Sequence, residues 1–348
     1  MPRRADCLVT GATGFLGRSV VCSLLTKGVS VRCLVRRTGD DRLAVGDSPA
    51  QDSNAEAVHG NLLSPTDMDR AVEGVRVVYH LAAESRGLPA TIFAGTVVGS
   101  KNLLQAILCR RPERVVLVSS LNVYSLANAD PKIPMPEDFP LEEHPEKRDV
   151  YTHAKVWQER LFREYLAGSG VALTVLRPGY IYGYGQSHLP ARMGLCLGNL
   201  LLQGKPNAPL PITYVKNCAD AVVFCGRSQR AANETCNIID DDVPTACQYL
   251  RFTRRRNPGI RGLASPFWVY LALAHLNRWA HKVSAGQIPL VLTRYKASCA
   301  WKGHSFSNQR LKNLGWKQPV PTADALKQTF CNLTVTEDYW EAQLRGVA

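Results

Sequence analysis

The sequence predicts an α/β fold built on a doubly wound parallel sheet. A short apolar strand runs into a glycine turn and then an amphipathic helix at the start of the chain. Hydrophobic strands then alternate with helical patterns as far as Asp240. The 348 residues carry no internal repeat, and 45% of them are hydrophobic, enough for a large core without metal or disulfides.

Each element follows from its local pattern. Cys7–Thr10 reads as a strand and Gly11–Gly17 as a turn. Arg18–Thr26 reads as a helix with Val20, Val21, Leu24 and Leu25 on one side. Val29–Val35 alternates as a second strand, and Val75–Leu81 is a third. Val97–Leu108 is an amphipathic helix, and Arg114–Ser119 a strand that ends in hydroxyls. Four prolines (Pro131, Pro134, Pro136, Pro140) impose a loop. Tyr151–Leu166 is a helix, and Ala172–Leu176 a strand that stops at Arg177-Pro178. Gly183–Pro211 is rich in Gly, Pro and Leu; Ala219–Cys225 and Thr235–Ile239 then read as a helix and a strand returning to the sheet.

Composition narrows the function classes. The 42 Lys and Arg outnumber the 29 Asp and Glu, a net charge of +13. Such a balance favours an anionic partner: a phosphorylated cofactor, an acidic substrate, a membrane surface or nucleic acid. Eleven scattered cysteines without a CxxC pair argue against a zinc site or a secreted disulfide framework. A reducing, cytoplasmic setting is the expectation. Met1–Asp6 does not read as a signal peptide. The longest apolar stretch, Phe267–Leu276, falls short of the roughly 20 residues a spanning helix needs.

Gly11, Gly14 and Gly17 are spaced as GxxGxxG between a strand and a helix, the context that gives such a triplet meaning. The first permits a tight turn, the second lets backbone N–H groups approach a pyrophosphate, and the third lets helix and strand pack closely. The helix then presents its positive end to the phosphates. A Rossmann-type dinucleotide-binding domain follows, over 1–183 with 212–240 returning to it. The second strand ends in Arg36-Arg37 where a site for NAD usually carries an acidic residue. Arginine suits a 2′-phosphate, so NADP(H) is the preferred cofactor, with NAD(H) the alternative if both are surface charges.

Tyr151 and Lys155 stand four apart on a predicted helix, hence on one face. A free phenol has a pKa near 10, and an adjacent ammonium would lower it toward the working range of an acid/base. The pair lies downstream of the dinucleotide turn and of Ser119-Ser120 at a strand end, where a hydroxyl could orient a reacting oxygen.

These segments resemble the extended short-chain dehydrogenases/reductases of the epimerase/dehydratase superfamily. The resemblance rests on TGATGFLG (Thr10–Gly17), GNLLSP (Gly60–Pro65), HLAA (His80–Ala83), VSSLNVY (Val118–Tyr124), YTHAK (Tyr151–Lys155) and LRPGYIYG (Leu176–Gly183), in family order over about the first 240 residues. It implies that Gly11, Thr13, Gly14, Phe15, Leu16 and Gly17 hold the cofactor, with Arg36, Asn61, Leu62, Ala82, Ala83 and Pro178. Asn61 stands where the family often has Asp beside the adenine. Ser120, Tyr151 and Lys155 would be catalytic, with Lys155 also on the nicotinamide ribose and Ser119 structural.

Three departures bear on the reaction. Leu121-Asn122 follows Ser120 where dehydratases carry an Asp-Glu pair. Tyr180 replaces an Asn of nucleotide-sugar epimerases, and Leu210-Pro211 precedes Ile212–Val215 where those enzymes place a diphosphate-binding Arg. LRPGYIYG, with Leu292–Lys296 and Leu314–Trp316, looks similar to the 3β-hydroxysteroid dehydrogenase-like branch. That implies hydroxyl/ketone interconversion on an apolar, steroid-like or long-chain keto substrate, and the resemblance also implies a smaller substrate lobe built from 184–211 and 241–348. The alternatives are a nucleotide-sugar epimerase with retained NAD and a non-catalytic cofactor sensor.

Arg251, Arg254, Arg255, Arg256 and Arg261 precede the apolar segment. The favoured reading is a solvated loop before a core helix. The alternative is peripheral membrane contact through 251–276. No nucleic-acid module accompanies the run. A homodimer is an expectation from the resemblance alone.

Overall fold

The computed structural model describes residues 5–36, 54–127, 129–186, 189–285, 287–288 and 290–330. Arg37 and Cys331 lie outside the described residues.

Seven parallel strands form the central sheet: β1 (Cys7–Thr10), β2 (Val31–Val35), β3 (Ala55–His59), β4 (Val77–His80), β5 (Arg114–Val118), β6 (Ala172–Pro178) and β11 (Thr235–Ile238). Their spatial order is β11-β6-β5-β4-β1-β2-β3. The order reverses between β1 and β4, so a crevice opens at the carboxyl ends of those two strands. β1 and β5 are buried along their whole length, as expected of a sheet covered on both faces.

Helices α1 (Phe15–Thr26) and α6 (Val215–Arg227) cover one face through Leu16, Val20, Val21, Leu24, Val222 and Val223. The other face is covered by α2 (Pro65–Val72), by α3 (Pro89–Phe93) running through a π-helical segment (Ala94–Val98) into α4 (Gly99–Arg110), and by α5 (Val150–Leu166). Met68, Leu103, Leu104, Ile107, Phe162 and Leu166 form its core. The continuous helix Pro89–Arg110 is long and apolar enough, by length and composition alone, to cross a membrane. Here it packs between α2 and α5.

The helix of residues 97–108 therefore begins eight residues earlier than its apolar pattern suggests, because Pro89 sits at its first turn. Helix α1 begins at Phe15 instead of Arg18, directly on Gly14. Strand β3 and helix α2 were not legible, although Ser64 caps α2 by accepting Asp67 N–H at 3.3 Å and Pro65 starts it.

Outside the main sheet, β7 (Tyr180–Tyr182) pairs with β10 (Ile212–Tyr214). Strands β8 (Leu195–Leu197), β9 (Leu200–Gln203) and β12 (Arg261–Ala264) make a small third sheet. The basic stretch is not a loop. It is helix α7 (Ala246–Arg256), capped reciprocally by Thr245 and Gln248, followed by the start of β12. Nor is the apolar segment a core helix: of α8 (Phe267–Val283) only Tyr270 and Ala274 are buried. Helix α9 (Arg294–Trp301) packs beside it, and α10 (Gln309–Asn313) and α11 (Thr322–Phe330) follow.

Candidate active site

Two adjoining cavities meet at Leu81 and Ala83, at the point where the strand order reverses. The first, about 610 Å³, is lined by Gly11, Thr13, Gly14, Arg36, Asn61, Leu62, Ala82 and Ala83. Gly11 holds φ +72°, and a Cβ there would come within 2.9 Å of Ala82 N. A Cβ on Gly17 would overlap the Gly11 carbonyl oxygen, so the turn closes only with glycine at both places. Gly14 caps α1 with no side-chain hydrogen bond. The first-turn N–H groups of α1 are thus left for an anion beside the cavity. This turn, cavity and helix end fit a dinucleotide.

Arg36 lies at the end of β2, exposed, with Nη1 3.4 Å from Glu84 Oε2. It lines the cavity from one side. Asn61 Oδ1 accepts Leu63 N–H at 3.0 Å, which turns its carbonyl oxygen into its own loop.

The second cavity, about 450 Å³, gathers Ser120, Tyr151, Lys155 and Pro178 with Phe15, Leu16, Leu121, Ile181, Leu210 and Arg192. Phe15 and Leu16, expected with the cofactor turn, line this cavity and not the first. Gly17 lines neither and is buried behind the turn.

Helix α5 begins where Asp149 accepts Thr152 N–H at 2.9 Å, and this cap sets Tyr151 in the first turn. Tyr151 and Ser120 line the same cavity, and Ser120 Oγ accepts Asn122 N–H at 3.2 Å. Burial pushes the phenol up to about 12; Asp149 adds to that and Ser120 opposes it. The expected depression by Lys155 is absent from this arrangement. Lys155 Nζ donates instead to Val118 O at 2.7 Å and to Gln158 Oε1. Burial holds Lys155 down at about 7, with Glu159 opposing.

Behind Lys155 runs a buried polar chain that sequence reasoning did not find. Gln158 Nε2 donates to His80 Nε2 at 3.0 Å and to Ser100 Oγ at 2.9 Å. With Nε2 accepting, Nδ1–H of the His80 ring donates to Thr10 Oγ1 at 2.7 Å. Desolvation pushes His80 down to about 3, so the ring is neutral. The available signal was spacing, since Gln158 stands three residues after Lys155 and so shares its helix face.

Arg192 is the other residue missed, one of two cations, with Lys205, in the Gly-, Pro- and Leu-rich stretch. It donates to Asn122 Oδ1 at 3.0 Å and Leu121 O at 3.3 Å, and its guanidinium lies 4.9 Å from the Phe306 ring centroid. Burial, with Arg148 repelling and Cys299 opposing, pushes it down to about 9. It forms no ion pair among the described residues, so a charge-assisted donor lines the same largely apolar cavity as Ser120, held at Asn122 two residues further along the chain.

The family model for "NAD dependent epimerase/dehydratase family" matches residues 7–238. A 2-alkyl-3-oxoalkanoate reductase of Shewanella oneidensis is 25% identical over 354 residues, 94% of this chain and 86% of the relative. A 4-hydroxy-2-methyl-3-oxo-4-farnesyl-3,4-dihydroquinoline-1-oxide ketoreductase of Stigmatella aurantiaca is 31% identical over half of each chain. A 3 beta-hydroxysteroid dehydrogenase/Delta 5-->4-isomerase of Mycobacterium tuberculosis is 29% identical over 60% of this chain and 57% of its own. Among solved structures, gox2253 superposes with TM-score 0.74 at 23% identity, covering 94% of this chain and 97% of that one. The UDP-glucose 4-epimerase of Thermotoga maritima gives 0.65 at 20%, covering 97% and 99%. The chain belongs to the NAD dependent epimerase/dehydratase family, the extended short-chain dehydrogenases/reductases, whose members are NAD-dependent enzymes acting at CH–OH groups.

Proposed function

We propose that the protein interconverts a hydroxyl and a ketone on an apolar substrate, with NADP(H) as the preferred cofactor. The observation that carries this reading is the Ser120–Tyr151 pair, set in an apolar-walled cavity that adjoins the dinucleotide crevice at Leu81 and Ala83. A bound nicotinamide supplies or accepts hydride. Tyr151 gives its proton to the carbonyl oxygen in reduction, or takes it from the hydroxyl in oxidation, and Ser120 holds that oxygen. Lys155 holds the first turns of α5 against β5 through Val118. Gly11, Thr13, Gly14, Ala82, Ala83 and Leu62 hold the dinucleotide.

The names of the relatives support the reaction type: a ketoreductase, an oxoalkanoate reductase and a hydroxysteroid dehydrogenase. Leu210 and Pro211 in the cavity wall support an apolar substrate over a nucleotide sugar. Arg36 beside the crevice supports a 2′-phosphate.

The test begins by denaturing fresh protein and identifying any released nucleotide by mass, then screening long-chain 3-oxo acids and 3-keto steroids with NADPH and NADH. An empty or NADP-bearing protein that consumes NADPH is the expected result. Stoichiometric NAD with no net cofactor consumption would instead establish an epimerase.

A further inference from the structure

The net positive charge of this protein arises in one segment. No Asp or Glu occurs from Val243 to Ala323, and that stretch holds thirteen Lys and Arg, as many as the whole net charge of +13. The rest of the chain is balanced. Some of these cations are neutralised locally: Lys312 pairs with Asp241, and Arg310 approaches Glu137 and Glu234. Those beside α8 are exposed: Arg278 and Lys282 on the helix and Arg294 at the start of α9.

Helix α8 also turns an apolar face outward. Trp268, Ala272, Leu276, Trp279 and Val283 follow one another at steps of three or four residues, and all are exposed. Trp268 and Trp279 are 68% and 63% exposed. The opposite side carries Tyr270, whose hydroxyl donates to Leu202 O at 2.5 Å and fixes the helix to the body. The following loop extends the apolar face with exposed Ile288 and Val291. It is fastened back on α8, since His281 Nδ1 bonds Ile288 O at 2.7 Å and Asn277 Oδ1 accepts Leu292 N–H at 2.9 Å.

We propose that the outer face of α8 and the loop after it dock on an anionic lipid bilayer, with Trp268, Trp279 and Val283 in the interface and Arg278, Lys282 and Arg294 against acidic headgroups. Indoles on a fixed helix face, flanked by cations, suit the boundary between headgroups and acyl chains. Charge selects the occupant. A second copy would bring two acid-free, positively charged segments together, whereas an anionic surface attracts each cation by about 1 kcal/mol. The patch does not depend on the catalytic reading. If that reading also holds, an apolar substrate could enter from the bilayer.

The test is co-sedimentation of the full chain with phosphatidylcholine vesicles, with and without phosphatidylserine, read alongside tryptophan fluorescence. We expect binding to the anionic vesicles, a blue shift on binding, and release by salt. The Trp268→Ser/Trp279→Ser variant should bind roughly tenfold or more weakly, with an unchanged circular dichroism spectrum. Arg278→Gln/Lys282→Gln should remove the preference for phosphatidylserine. Absence of binding to anionic vesicles overturns the proposal, as does equal binding by the tryptophan variant. A wild-type dimer in light scattering that becomes a monomer in that variant, without vesicle binding, assigns the face to a second copy instead.

Discussion

Ser119 Oγ donates to the buried Glu159 Oε2 at 2.7 Å, while the next hydroxyl, on Ser120, shares a cavity with the Tyr151 phenol. Two adjacent serines at the end of β5 therefore point to opposite destinations. Glu159 also takes Arg177 and Arg163, so the Ser119 hydroxyl is held in a buried ionic cluster even though both serines line the cavity.

Exchanging each serine for alanine separates the two roles. Ser120→Ala should lower kcat by about 100-fold or more, by loss of the donor on the reacting oxygen. Ser119→Ala should leave kcat within a few-fold but cost about 1–3 kcal/mol of stability. Turnover and denaturant melts on both variants decide it, and the reverse pattern would exchange the assignments.

Tyr151→Phe should reduce turnover by about 100- to 10,000-fold while cofactor still binds. The phenol, pushed up to about 12, keeps its proton across neutral pH. Ketone reduction, which uses the protonated phenol, should then stay flat on the alkaline side. Alcohol oxidation, which needs the phenolate, should rise with pH. Initial rates in both directions over the same buffers test this, and identical profiles would remove Tyr151 as the proton carrier.

Lys155 makes a prediction about stability. Its folded value, about 7, lies below the ordinary 10.5, so the unfolded chain holds that proton more tightly. Stability contributed through this group therefore increases as pH rises from about 7 towards 10.5. Relative to Lys155→Met, the wild type should gain in denaturant melts across that window. A pH-independent difference would show that the lysine is not desolvated in the folded protein.

Arg192 should set substrate preference. Ketones with a carboxylate or second carbonyl near the reacting carbon should be reduced more efficiently than plain ketones. Arg192→Met should lower kcat/KM for a 3-oxo acid by roughly tenfold or more and leave its methyl ketone counterpart little changed. Equal losses on both substrates would make Arg192 a packing residue only.

Gly17→Ala should destabilise the protein by about 3 kcal/mol and abolish dinucleotide binding, because the added methyl meets the Gly11 carbonyl. Calorimetric titration with NADPH reads the second effect.

Those elements that announce themselves locally were legible. The glycine turn needs Gly11 and Gly17 for backbone reasons, and the strands of a covered parallel sheet are continuous apolar runs. Strand β3 was not legible because Ala55–His59 carries a Glu and a His and is nowhere fully buried, as befits a sheet edge. The cavity residues Ser120, Tyr151, Lys155 and Pro178 were found by spacing and resemblance. Arg192 was not, because only the tertiary fold brings it to Asn122 across 70 residues of chain. The direction of the Tyr151 shift was misjudged for a related reason. Helical spacing set Lys155 on the right face, but which acceptor it chooses depends on Val118 and Gln158.

The chain Thr10–His80–Gln158–Lys155 crosses from β1 through β4 to α5, and so bridges the two halves of the sheet beneath both cavities. The proposed nucleotide crevice and the proposed proton-transfer pair therefore share one hydrogen-bonded support. A substitution at His80 or Gln158 would register in both at once, whereas the side chains of Arg36 and Glu84 pair with each other at the rim. On the proposed function, cofactor preference would be open to redesign through the rim pair while the proposed chemistry stays fixed.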